Sequence, residues 1–384
     1  MTNLKELKLL IEKNKGKINF KSVEVRKGYI VFKNREKKID GRSIKKLIAF
    51  VNFLNERYKG LNVPILLDLG NIEFVDKLTY IFFEIICYLL IKEYRHIVVI
   101  NAEYKSSIWI EGIESSPLLI LNDGTRQNME KYVRKFHDDL YKNHYRRVIK
   151  NNEDSVELSK KMDEIAYFLK FSGVQDNCID VISEVVVELI GNAWEHASAE
   201  CLVDLDVTNS YFKRESTKSF MGVNLAVINF SPDLLGDSIR EKILDNNNNL
   251  PKRYASVKEA YNNHKNIFDL LYKEEDFFNI ASFQHKISGR KNNVATGGTG
   301  LTKLISSLEK RSDAHRCYLV TGNRVLWFLH EYLEYTLDGW IGFNENNDFF
   351  HTRPTSKVLG NNAIYMPGTA YNLNFVMKRR EDYE

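Results

Sequence analysis

The alternation of apolar and polar residues along the first hundred positions predicts a mixture of strands and helices. Residues 17–34 alternate around Lys27-Gly28, the pattern of two paired strands joined by a turn. Helical and strand-like segments then follow in turn: a helix over 41–60, a buried strand over 63–70, a helix over 77–95 and a strand over 96–103. The predicted order is β-β-α-β-α-β.

The clearest amphipathic pattern of the second half is "VISEVVVELIGNAWEHASAE", residues 181–200. At about 100° per residue, one helical stripe contains its five polar residues, Glu184, Glu188, Asn192, Glu195 and His196. The opposite side is apolar. A solvated helix face would give the same pattern, so the stripe alone does not identify a site.

Length and composition narrow the class of protein. A chain of 384 residues, 43% hydrophobic and 28% charged, is typical of a globular protein with two domains. Its net charge of +4, without Lys/Arg runs interleaved with aromatics, does not support a nucleic-acid partner. The four scattered cysteines favour the cytoplasm.

The most apolar stretch, 80–91, contains Glu84 and is shorter than the roughly twenty residues that span a bilayer, so a buried helix and no membrane association are expected.

The segment "ILLDLGNIEFVD", residues 65–76, leads directly into an apolar helix. With the predicted element order, residues 1–104 resemble the STAS domain of anti-sigma-factor antagonists. In that family the loop after the strand reads Asp-Ser-Ser-Gly, and its second Ser accepts phosphate from a kinase. The loop here reads Asp76-Lys77-Leu78-Thr79, so Leu78 stands at the acceptor position. The resemblance implies the fold without the phosphorylation switch.

Residues Glu188-Leu-Ile-Gly-Asn192-Ala-Trp-Glu-His196 resemble the N-box of the GHKL superfamily, most closely that of anti-sigma-factor serine kinases. The resemblance implies a Bergerat-type α/β sandwich over 155–384 that binds ATP and Mg²⁺, with Asn192 as the Mg²⁺ ligand and Glu188 as the general base. A carboxylate one turn before an amide oxygen suits these roles. For His196, a nucleotide contact and a structural hydrogen bond stay open. Residues 105–154 are predicted to form a largely helical connector between the domains.

Further segments follow in the order of the superfamily. Asn229 and Ser231 stand where an Asp-x-Gly box is usual, and Asn229 keeps a carbonyl acceptor for the adenine amino group. The polar segment 240–290 matches the mobile lid over ATP, with Lys286 and Arg290 near the phosphates. Two more nucleotide-contacting segments are implied, a glycine box of Gly297, Gly298, Thr299, Gly300 and Leu301, and a hairpin with Thr369 before the last strand.

Four functions are compatible with these patterns. The first is an ATP-operated conformational switch with slow ATP hydrolysis, in bacterial regulation or stress response, that acts on a protein partner. The second is a serine/threonine protein kinase. The third is a nucleotide-sensing scaffold without catalysis, for which the altered Asn229 box argues. The fourth, histidine autophosphorylation, would use His137 and His144, seven residues apart on one predicted helix face. A homodimer stays open.

Overall fold

The structure, a computed structural model, describes most of the chain. The described residues are 5–16, 23–102, 116–150, 155–194, 200–212, 219–245, 250–287, 300–311 and 317–378. It is a mixed α/β protein. None of the helices in these ranges is long and apolar enough to cross a membrane.

The first part of the chain follows the predicted order of elements. These are α1 (Lys8–Lys13), β1 (Val23–Arg26), β2 (Tyr29–Lys33), β3 (Lys38–Ile39), α2 (Gly41–Arg57), β4 (Pro64–Asp68), β5 (Glu73–Phe74), α3 (Lys77–Lys92) and β6 (Ile97–Asn101). The main sheet has the order β1-β2-β4-β6, with β1 antiparallel and the other three strands parallel. The short β3–β5 pair was not predicted. Asp40 and Asp76 cap α2 and α3 by accepting backbone N–H groups of the first turn.

The second part builds a larger antiparallel sheet with the order β11-β12-β10-β9-β8-β7. Its elements are α4 (Arg126–His137), β7 (Asp138–Tyr141), β8 (His144–Ile149), α5 (Ser155–Phe171), α6 (Asp176–Asn192), β9 (Cys201–Phe212), β10 (Ser219–Asn229), α7 (Asp237–Leu244), α8 (Lys252–His264), α9 (Glu274–Ala281), α10 (Gly300–Arg311), β11 (Tyr318–Trp327) and β12 (Leu359–Met377).

Both faces of the six-stranded sheet are buried. Successive side chains of a strand point to opposite faces, so Cys201, Val203 and Leu205 of β9 pack in one core with α5, α6 and α10. Leu202, between them, packs in a second core with α1, α2 and α3. The helices of the first part therefore lie against the back of this sheet, and α3 is the buried helix that its sequence predicts.

The predicted helical connector is wrong over residues 138–149, where the chain forms the hairpin of β7 and β8. Pairing with β9 along the whole of β8 satisfies its backbone, and the Tyr145 ring is buried 5.6 Å from that of Phe168. These contacts come from residues distant in sequence, so local helical periodicity does not decide the structure. His144 consequently lies on a strand and His137 ends α4, and they share no helix face.

The described residues of 237–281 form the helices α7, α8 and α9, where the sequence predicts a polar lid. Their inward faces share a core with the segment between β11 and β12, where Phe277 stacks on Phe349 and Phe349 on Trp340, each pair 5.5 Å apart. The Arg253 guanidinium lies 3.5 Å over the Trp340 ring and donates to the Asp338 and Gly339 carbonyls. The many polar residues of α8 are spaced between buried Tyr254, Val257 and Ala260, which explains why composition alone suggested a lid.

Candidate functional site

The polar stripe predicted for α6 is less buried than the opposite side of the helix. Val186, Leu189 and Ile190 are buried, and Glu184 is exposed. Glu188 and Asn192, one turn apart, are half-buried. These two side chains are therefore partly enclosed by neighbouring elements, unlike those of a fully solvated helix face.

Asn192 carries a buried polar atom without a partner. Its Nδ2 has no hydrogen bond to any of the residues that the structure describes. Leaving a buried donor unpaired costs about 1–3 kcal/mol, so a ligand oxygen at this position would be stabilising. Rotation of the amide by 180° exchanges nitrogen for oxygen. The same side chain can thus present either a donor or a metal-ligating oxygen.

The start of α10 lies against the middle of α6. Lys303 Nζ, in the first turn of α10, is 3.1 Å from Glu184 Oε2. The free backbone N–H groups of a helix N-terminus attract anions. Gly300 and Leu301 begin α10. Five other predicted site residues lie outside the described part of the chain: His196, Arg290, Gly297, Gly298 and Thr299.

A polar row crosses the helix-facing side of the sheet. It consists of Asn229 on β10, Thr369 on β12 and Thr321 on β11, which are register partners. The next residues on the same face of each strand are Val227, Tyr371 and Leu319, two positions away. They belong to the core beneath α6 and α10. Thr369 N donates to Asn229 Oδ1 at 3.2 Å, and Thr321 Oγ1 donates to the Gly368 carbonyl at 2.8 Å. The row is therefore internally hydrogen-bonded.

Residues 367–369 lie inside β12 and do not form the predicted hairpin before it. Gly368 has φ +87°, and a Cβ there would overlap the Asn229 carbonyl and approach Ser231 N to 2.8 Å. Ser231 is fully buried, and its Oγ accepts a hydrogen bond from Asp233 N. Residues 229–233 therefore form a turn that packs tightly against β12.

The polar row and the end of α6 lie at the same end of the sheet, because Gln175, just before α6, donates to the Lys378 carbonyl beyond the other end of β12. β9 begins at Cys201, soon after α6 ends, and Cys201 is the register partner of Asn229. The start of α10 contacts α6 through Lys303 and Glu184. We call this group the α6–α10 site: Glu188, Asn192, Asn229, Thr369 and the first turn of α10.

A second polar group is buried between the back of the sheet and α3. The Lys77 ammonium pairs with Asp204 and Asp206, and the Arg146 guanidinium pairs with Glu84 and Asp204. Sequence reasoning missed this group, although two signals were present. Asp204 and Asp206 occupy alternate positions of an apolar strand, and Glu84 interrupts the most apolar helix.

His144 completes this buried charge cluster, which comprises Lys77, Glu84, His144, Arg146, Asp204 and Asp206. Its Nδ1 lies 3.1 Å from Asp139 Oδ2, and its Nε2 lies 3.1 Å from Asp204 Oδ2. Ionised carboxylates only accept hydrogen bonds, so both ring nitrogens carry protons. Burial lowers the pKa of His144, but Asp204 and Asp139 together raise it above its ordinary value. With His144 charged, three cations offset three carboxylates.

The cluster contains a set of residues with metal-ligand geometry. One ligand atom each from His144, Asp204 and Asp206 lies within 4.8 Å of the others. The Lys77 ammonium, however, already pairs with both carboxylates. The chain's own lysine therefore holds the position that a cation would take, and the cluster is structural.

The loop Asp76-Lys77-Leu78-Thr79 is closed against the sheet. Leu78 is buried, and its N–H donates to Asn372 Oδ1 at 3.0 Å. The Thr79 N–H donates to Asp76 Oδ1 at 2.7 Å, and Thr79 itself is buried. Burial, reinforced by a hydrogen bond to Asp76, raises the pKa of the Tyr318 hydroxyl well above its usual range. This surface is therefore engaged within the chain.

The α6–α10 site combines a carboxylate, an unpartnered amide and a helix N-terminus. Together these groups can accept a proton, ligate a hard cation and bind phosphate oxygens. No protein-family model, curated protein or solved structure matches this chain.

Proposed function

We propose that this protein is a conformational switch operated by a nucleoside triphosphate with Mg²⁺, with slow hydrolysis of the nucleotide. The resemblance of the α6 motif implies ATP as the nucleotide. The observation that carries the proposal is the buried amide nitrogen of Asn192, which has no partner among the described residues and lies one turn from Glu188. On this proposal the second part of the chain is a Bergerat-type domain and the first a STAS-like domain.

The residues of the α6–α10 site suit such a ligand. The Asn192 amide oxygen is a ligand type that Mg²⁺ accepts, and the N–H groups at the start of α10 would take phosphate oxygens. Glu188 would remove the proton from an attacking water. The Mg²⁺-triphosphate supplies the phosphoanhydride bond and its charge neutralisation.

The sheet offers a path from this site to the first part of the chain. β9 pairs with Asn229 at Cys201 and carries Asp204 and Asp206, which hold Lys77 at the start of α3. A shift of the strand ends upon nucleotide binding would therefore act on α3. Leu78 has no hydroxyl and is buried, so we do not propose transfer of phosphate to this loop.

The proposal is tested by measuring nucleotide binding and phosphate release on the full chain. Loss of a general base lowers rates by about 10²–10⁴-fold, so Glu188→Gln should abolish phosphate release and keep Mg²⁺-dependent binding. The control is Glu184→Gln, which removes a carboxylate one turn away that pairs with Lys303, and it should retain both properties. Binding without phosphate release from the native chain would favour the scaffold. Absence of binding of any triphosphate at millimolar concentration would refute the proposal.

A further inference from the structure

We infer that Asn229 selects a purine with an oxygen at position 6, guanine or hypoxanthine, over adenine. The inference rests on the proposed function, which brings a purine nucleotide to the α6–α10 site. Asn229 would contact the base, whereas Asn192 would bind the cation and Glu188 would act at the phosphates.

The backbone determines which way the Asn229 amide is turned. Thr369 N–H can only donate, so the side-chain atom that faces it at 3.2 Å must be oxygen. The other branch of the amide is therefore the NH₂ group. Rotation by 180° would place this NH₂ against the Thr369 N–H, donor against donor. An aspartate at this position would have two acceptors and could offer one to Thr369 and the other to the base.

The backbone of Asn229 is also fixed by its neighbours. Its backbone pairs in register with Cys201 on one side and Thr369 on the other. Its carbonyl lies so close to Gly368 that no side chain fits there. Asn229 is only half-buried. The hydrogen bond from the Thr369 N–H therefore favours one orientation of the amide on the helix-facing side of the sheet.

The two purine types present opposite groups at position 6. Adenine carries an amino group, a donor, whereas guanine carries a carbonyl oxygen, an acceptor. An asparagine reads adenine with both its oxygen and its nitrogen, but here the oxygen is engaged by Thr369. An NH₂ group against the adenine amino group leaves two donors facing each other, whereas a 6-oxo group accepts from it. Sites built around one hydrogen-bonding pattern discriminate strongly against the other.

The experiment measures the dissociation constants of Mg²⁺-ITP, Mg²⁺-GTP and Mg²⁺-ATP by calorimetry with the full chain. Inosine triphosphate isolates position 6, because it lacks the 2-amino group of guanine. We expect ITP and GTP to bind at least about tenfold more tightly than ATP, the effect of one hydrogen bond made or lost. Asn229→Asp, which restores a second acceptor, should reverse the order. Asn262→Asp, the same change at an exposed position of α8, should leave it unchanged.

The outcomes separate this inference from the proposed function. ATP binding as tightly as ITP, or more tightly, would overturn the base selection and leave the nucleotide switch intact. An unchanged order in Asn229→Asp would also overturn it, since another residue would then read the base. No binding of any triphosphate by the native chain or by Asn229→Asp would refute both.

Discussion

Replacement of Arg146 by methionine should destabilise the protein by about 3–5 kcal/mol, the usual effect of removing one partner of a buried ion pair. Arg146 is fully buried, and its guanidinium pairs with Glu84 and Asp204. Asp204 would keep Lys77 and His144 as partners. Glu84, also fully buried, would lose the cation that the structure places on it. Most of the cost should therefore come from Glu84.

The assay is urea-induced unfolding at pH 7, followed by circular dichroism. Arg147→Met is the matched control, because Arg147 is the next residue on β8 and pairs with half-exposed Glu164 and exposed Asp138. The Arg147 side chain is 14% exposed, but both of its acidic partners contact water. Ion pairs open to water contribute about 0–1 kcal/mol, so this variant should cost much less stability than Arg146→Met. Adding Glu84→Gln to Arg146→Met should recover more than half of the loss. A similar loss of stability in Arg146→Met and Arg147→Met, or no recovery in the double variant, would show that the buried charge of Glu84 does not cause the loss.

Two further predictions concern His144 and Gly368. The folded-state pKa of His144 is raised. Its contribution to the free energy of unfolding is therefore complete below the ordinary histidine pKa of about 6.5 and is lost as the pH rises through the folded-state pKa. The slope of this loss is at most about 1.4 kcal/mol per pH unit. Urea unfolding measured at pH values from below 6.5 to above the folded-state pKa should show this loss of stability in the native chain and not in His144→Gln. Equal pH profiles of the two proteins would contradict the prediction. Gly368→Ala should cost about 1–3 kcal/mol or more in thermal unfolding, from backbone strain and overlap with Asn229. Gly28→Ala, with a similar φ of +82° but open space around it, should cost about 1 kcal/mol, and an equal loss in both variants would exclude the overlap.

The elements with strong local patterns could be predicted from the sequence. The 41–60 and 77–95 helices match α2 and α3, and the alternation around Lys27-Gly28 matches the β1–β2 hairpin, in which both residues have positive φ. The apolar and polar sides of α6 were also correct. Periodicity suffices for α2 and α6 because each buries one face against a core, and the apolar run of α3 suffices because this helix is buried on almost every side.

The features that depend on distant partners could not be predicted. β7 and β8 are short and highly charged, and they become strands because β9, more than fifty positions later, pairs with β8 and neutralises Arg146 with Asp204. The orientation of the Asn229 amide follows from Thr369 N–H on β12. The sequence could identify Asn229 as a candidate, but its hydrogen-bonding state is a property of the assembled sheet.

Hydrogen–deuterium exchange can show whether the α6–α10 site binds a Mg²⁺-nucleoside triphosphate. Exchange is compared without nucleotide and with saturating Mg²⁺-ITP or Mg²⁺-ATP. We expect the nucleotide to slow exchange in peptides that cover the end of α6 and residues 288–311, and only when magnesium is present. Unchanged exchange in both regions, or protection confined to residues 5–102, would contradict it.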